Sequence, residues 1–130
     1  MPPTDSHQAR DLHVIGSSLK DLAEMPLEIR RSFGRALRAA QNGAFPEDSR
    51  PFGEGLDRAI MKLVEKLDGE TYRAAYVITF PECVYLLHVF QKKSASGVAT
   101  SRPDKATIEA RWKAAKDHYH QHYAARRDRR

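Results

Sequence analysis

Two apolar runs separated by a single dipeptide constrain this chain more than any other feature: Tyr72 to Phe80 and Cys83 to Gln91, joined by Pro81-Glu82. In the first, Tyr72, Ala74, Tyr76, Ile78 and Phe80 fall on one face, and β-branched Val77 and Thr79 support an extended backbone on the other. The second is rich in Val, Tyr, Leu and Phe. Two such runs with a tight turn between them predict an antiparallel hairpin. The hairpin also carries cations, with Arg73 inside the first run, His88 inside the second, and Lys92 and Lys93 at its end. A β-framework that holds such groups in place makes a fixed cationic surface suited to phosphate.

The rest of the composition agrees with that surface. Lysine and arginine total 22 against 17 acidic residues, a formal charge of +5 and a pI near 9.5, which favours polyanionic partners. The 130 residues are read as one domain over 11–123, with a mobile polar tail at 1–10 and a basic tail at 124–130 ending Arg126-Arg127-Asp128-Arg129-Arg130. No apolar run is long enough to cross a bilayer and the first ten residues are polar, so a cytoplasmic protein without membrane partners is expected. Cys83 is the only cysteine, which excludes an internal disulfide and a cysteine-only zinc site and suits a buried apolar role. His118 and His122 share a helical face, but no acidic or cysteine partner completes a zinc motif. That end reads as solvated helix, and neither metal nor cofactor is expected.

Along the chain, Leu12, Val14 and Ile15 before Gly16 form a short first strand, and Ser17 or Ser18 caps a helical turn in which Asp21 follows Ser18 by three. Pro26 to Asn42 is an amphipathic helix: Ile29, Phe33, Leu37 and Ala40 make its stripe, Arg30, Arg31, Arg35 and Arg38 lie outside it, and Gly43 stops it. Gly43 to Asp57 is an ordered loop anchored by Phe45 and Phe52. In the next segment Leu56, Ile60, Leu63, Val64 and Leu67 have helical spacing. Ser94 to Pro103 is a mobile loop; Asp104 or the residues before it start a last helix with Ile108, Trp112, Ala115 and Tyr119 as its stripe.

Several short segments occur in a telling order: Gly16-Ser17-Ser18 with Lys20-Asp21-Leu22, then Gly34 through Ala40-Gln41-Asn42-Gly43, Thr71-Tyr72-Arg73-Ala74-Ala75-Tyr76, Leu87-His88-Val89-Phe90-Gln91-Lys92-Lys93-Ser94, and Gly97-Val98-Ala99-Thr100. In this order the chain resembles the phage-derived HigB-like toxins of the RelE/ParE superfamily. The resemblance implies a small α+β domain, an antiparallel sheet packed with N-terminal helices and a C-terminal helix. It also implies a strand at Arg58 to Leu67, in place of the helix that the spacing suggests. The implied role is the toxin of a type II toxin–antitoxin pair: an endoribonuclease that cuts messenger RNA on the ribosome without a metal, controlled by a helix-turn-helix antitoxin. Relatives on the same fold inhibit gyrase instead, and a basic phage-related binding protein is a third possibility. The oligomeric state is left open.

Metal-free cleavage needs deprotonation of a 2′-hydroxyl, charge stabilisation on the phosphorane and protonation of the leaving 5′-oxygen. The catalytic candidates are Arg73, which resembles the family's phosphate-binding arginine, Lys92 as a phosphate ligand or proton-transfer group, and His88 as a proton-transfer group. A structural alternative for Arg73 is an ion pair with Glu65 or Glu82. Alternation turns Lys92 to the side of His88 and Phe90, and Lys93 away. Lys62, Lys93 and Tyr119 are the RNA-binding candidates, with Tyr119 able to stack on a base or to pack in its helix stripe.

Overall fold

The structure, a computed structural model, describes residues 9–92 and 99–124. Lys93, most of the expected 94–103 loop, residues 1–8 of the N-terminal tail and residues 125–130 of the basic tail lie outside the described residues. The elements are β1 (Asp11–Val14), α1 (Ser18–Ala23), α2 (Leu27–Gln41), β2 (Arg50–Pro51), β3 (Ile60–Leu67), β4 (Glu70–Val77), β5 (Cys83–Lys92) and α3 (Arg102–Tyr119), with a π-helical turn at His120–Ala124. One sheet runs in the order β1-β5-β4-β3-β2. The expected α+β architecture is the one found, but the sheet is mixed: β1 pairs parallel to β5, while the other neighbours are antiparallel.

Both faces of the sheet are covered. Ile29, Phe33, Leu37 and Ala40 of α2 pack on Met61, Leu63, Tyr72, Ala74, Tyr76, Val84, Leu86 and Val89. On the other face, Ile108, Trp112 and Ala115 of α3 pack on Ile60, Ala75, Val77, Cys83, Tyr85, Leu87 and Phe90. A strand covered on both sides needs apolar groups at nearly every position, so residues 83–90 form an unbroken buried run. Cys83 is buried within it, and burial pushes its thiol up.

Residues Ile60–Leu67 are a strand, as the resemblance implies and against their helical spacing. The spacing misleads because apolar residues serve both layers: Ile60 faces α3, whereas Met61 and Leu63 face α2, and Leu56 sits in the preceding loop. Asp68 and Gly69 make the turn to β4, both with positive φ (51° and 81°), the geometry a two-residue hairpin loop requires. β4 ends at Val77, so Phe80 does not continue the Tyr72, Ala74, Tyr76 face; it packs in the α3 layer while Ile78 stays with α2. The connection to β5 spans Ile78 to Glu82, longer than the expected Pro81-Glu82 turn.

The helix ends follow local chemistry. α2 stops in a Schellman motif: Gly43 has φ +88°, its amide donates to Ala40, and the Ala44 amide reaches Ala39. Ser101 caps α3 by accepting from the Asp104 amide at 3.2 Å. Of the two serines expected to cap α1, Ser17 takes the N-cap position, without a side-chain bond to a helix amide. The Ser17 hydroxyl donates to the Asp21 carboxylate at 2.8 Å, and Ser18 is buried, donating to the Leu87 carbonyl at 2.9 Å. In the 43–57 loop Phe52 is an anchor, but Phe45 is 62% exposed and anchors nothing.

Candidate nucleic-acid interface

Directly opposed residues on neighbouring strands share a face, so register alone builds the site. Arg50 lies opposite Lys62, Lys62 opposite Ala75, and Ala75 opposite His88. The next row is Val64, Arg73 and Phe90, and the third Lys66, Thr71 and Lys92. Arg50, Lys62, Lys66, Arg73, His88 and Lys92 therefore stand on one face, beside the part of the sheet that α3 covers. Neighbouring strands are separated by about 4.8 Å, so the rows form a compact cationic lattice.

A bulge completes this face. The register shifts between Ala75 and Tyr76, which pair with His88 and Leu86 and leave Leu87 as an extra residue on β5. Below the bulge His88, Phe90 and Lys92 face the α3 side; above it Leu86 and Val84 turn to α2. Without it the alternation of His88 would place Leu86 and Val84 in the wrong layer. Such irregularities re-aim side chains next to working surfaces.

The structure brings Arg73, His88, Lys92 and Lys62 together, but it buries the first two. Arg73 is 7% exposed and His88 8%. The Arg73 guanidinium donates to Thr100 Oγ1 at 3.0 Å and stands 3.6 Å from Glu54 Oε2. Glu54 in turn accepts from the Thr100 amide at 2.7 Å and hydroxyl at 3.0 Å. Burial alone would raise the Glu54 carboxyl, but the Thr100 bonds and the charges of Arg73 and Lys62 outweigh it and hold the group below its ordinary value. Arg73 thus has the ion pair of the structural alternative, but with Glu54; Glu65 accepts from Ser32 of α2 on the other face, and Glu82 accepts from Tyr119 at 2.7 Å.

His88 stacks on Phe90, with ring centroids 4.8 Å apart, and its Nε2 lies 2.8 Å from Asp104 Oδ1. Lys62 is half-buried over the Phe52 ring, and its ammonium is held below the usual lysine range by burial, then by Arg73, with Glu54 opposing. Lys62 sits one strand from Arg73, close enough to feel its charge. Lys92 is half-buried at the end of β5. Tyr119 is elsewhere: it stacks on Phe80 at 3.9 Å beside the β4–β5 connection, at the opposite end of the sheet. His118 is also not a solvated end, since its Nδ1 lies 2.7 Å from the Tyr85 hydroxyl and its ring stands 4.5 Å from His13. Among the described residues no group of three His, Cys, Asp or Glu side chains is arranged to hold a metal ion.

Glu54, Thr100, Asp104, Arg111, Arg50 and Lys66 join the site without having been singled out for it from sequence. One signal for Glu54 exists: it stands between Gly53 and Gly55, and all three residues have positive φ (73°, 55° and 82°). A non-glycine residue held there is strained backbone of the kind that marks working sites.

The chain matches the family described as Phage derived protein Gp49-like (DUF891) over residues 20–113. It belongs to that Gp49-like family. The family is associated with RelE/ParE-like toxin–antitoxin systems, which indicates a toxin-like function for this Gp49-like protein. The match runs from α1 into α3 and so contains the whole cationic lattice. No curated protein matches the chain. Among the described residues, no helix is long and apolar enough to cross a membrane.

Proposed function

We propose that this Gp49-like protein is a HigB-like toxin that cleaves messenger RNA on the ribosome, in the cytoplasm, under the control of a helix-turn-helix antitoxin. The observation that carries the reading is the lattice of Arg50, Lys62, Lys66, Arg73, His88 and Lys92, in which carboxylates already stand on two of the donors, Arg73 and His88. Glu54 stands on Arg73 and Asp104 on His88, where phosphate oxygens would find the same partners. RNA binding exchanges these carboxylates for phosphate, and the Arg73 fork then holds two equatorial oxygens as charge develops. The 2′-oxygen forms a bond to phosphorus as its proton leaves to a base, the bond to the 5′-oxygen breaks, and that oxygen takes a proton. Lys62 and Lys92 flank the phosphate, and Lys62, its ammonium disfavoured by burial and then by Arg73, is suited to proton transfer.

Induced expression of the chain alone tests this reading. Growth arrest with cuts in translated messages is expected, and neutralisation by the product of an adjacent helix-turn-helix gene. Arrest with intact messages and gyrase-linked DNA damage would favour the gyrase-inhibiting alternative; harmless accumulation of folded protein would favour a basic binding protein.

A further inference from the structure

The Gly16-Ser17-Ser18 segment lies far in sequence from the cationic lattice, yet it is built around a side chain that reaches it. Arg111 of α3 crosses to β5, where one guanidinium nitrogen lies 3.0 Å from the Leu87 carbonyl oxygen, 3.2 Å from Ser18 Oγ and 3.3 Å from His88 Nδ1, its two N–H groups shared among the three. Its other terminal nitrogen donates to Ser17 Oγ at 3.1 Å. Gly16 completes the seat: it has φ +61°, and a Cβ there would lie 2.7 Å from Arg111 Nε and 2.8 Å from Cζ. Only a residue without a side chain lets the guanidinium lie against this turn.

The seat decides where the His88 ring carries its proton. Arginine has five donors and no acceptor, so the nitrogen facing it must accept. Nδ1 faces Arg111, which leaves the proton on Nε2, and Nε2 donates to Asp104 Oδ1. We propose that Arg111 is a positioning residue for His88, seated by Gly16, Ser17 and Ser18 so that the imidazole is held as the Nε2–H tautomer facing Asp104. When a phosphate replaces the Asp104 carboxylate, the ring meets it with a donor already aimed. This last consequence rests on the proposed function; the tautomer does not.

Long-range 1H–15N spectra of the labelled full chain, with the His88 ring assigned by its loss in His88→Gln, read the tautomer directly. The wild type is expected to show Nε2–H alone. Arg111→Lys keeps the charge but loses the fork, and Gly16→Ala pushes the guanidinium from its seat; both are expected to add an Nδ1–H or doubly protonated pattern. A purely structural Arg111 would lower thermal stability and leave the His88 pattern unchanged, and an unchanged pattern in folded Arg111→Lys overturns the proposal. Should Gly16→Ala fail to fold, Arg111→Lys carries the test. In the same variants message cleavage is expected to fall by roughly tenfold or more, as for other residues that orient a working imidazole. If the tautomer shifts but the wild type itself cuts no message, the positioning role stands and the proposed function falls.

Discussion

Glu54→Gln is expected to destabilise the fold by about 2 kcal/mol at neutral pH. The carboxylate accepts two bonds from Thr100, at 2.7 and 3.0 Å, and stands 3.6 Å from the Arg73 guanidinium. Hydrogen bonds to a charged group contribute roughly 1.5–3 kcal/mol each. Glutamine keeps an acceptor for the Thr100 amide but turns an NH2 group toward Arg73, so about one such bond and the ion pair are lost. For a chain of this size that lowers the melting temperature by roughly 6–10 °C. The sign of the pH dependence follows from the lowered carboxyl: the contribution is complete above the unfolded value of 4.5 and is lost as pH falls through the still lower folded value. Urea denaturation followed by circular dichroism, at neutral and acid pH, measures both. The backbone supplies a control, because φ at Glu54 is 55°. Glu54→Gly should be more stable than Glu54→Ala by about 1 kcal/mol, the reverse of the usual order. A Glu54→Gln variant within about 0.5 kcal/mol of wild type would refute the role of the carboxylate, and an alanine variant that outlasts the glycine one would refute the backbone argument.

Three further outcomes follow from the same geometry. The His118 imidazole is held below its ordinary value by burial and then by His13 and His122, so the unfolded chain binds its proton more readily. Stability should be complete above pH 6.5 and decline as pH falls below it, and His118→Gln should flatten that slope in a pH series of melts. Tyr119→Phe should cost about 1 kcal/mol for the bond to Glu82 yet leave message cleavage unchanged, because Tyr119 sits at the other end of the sheet. Ile60 is fully buried against α3, and Ile60→Ala should cost about 3–4 kcal/mol by urea denaturation.

The α2 stripe, the β4–β5 pairing and the α3 stripe were legible because each repeats one period over several turns or rungs. Arg58 to Leu67 was not, since a strand packed on both faces hides its alternation; the Asp68-Gly69 turn beside it is a two-residue hairpin signal that the spacing obscured. Part of the cationic half of the site was readable: strand alternation set Lys92 beside His88 and Phe90, whereas Arg50 and Lys66 carried no such signal and Lys62 joined only through the strand that the resemblance implied. The acidic half was not. Glu54 and Asp104 reach Arg73 and His88 from 19 and 16 residues away in sequence, through a loop and a helix cap whose docking no local pattern encodes. The Leu87 bulge is equally silent in sequence, being a compromise between two cores rather than a preference of any residue. Tyr119 was ambiguous between a base-stacking and a packing role, and its position against Phe80 answers for packing.

The chemistry of the cut ends tests metal-free cleavage at Arg73 most directly. In a purified translation system, wild-type protein should leave translated messages with 5′-hydroxyl and 2′,3′-cyclic phosphate ends, the products of attack by the 2′-oxygen, and folded Arg73→Lys should leave few or none because lysine lacks the two-pronged grip. Ends bearing 5′-phosphate, or cuts by Arg73→Lys at the wild-type rate, would contradict it.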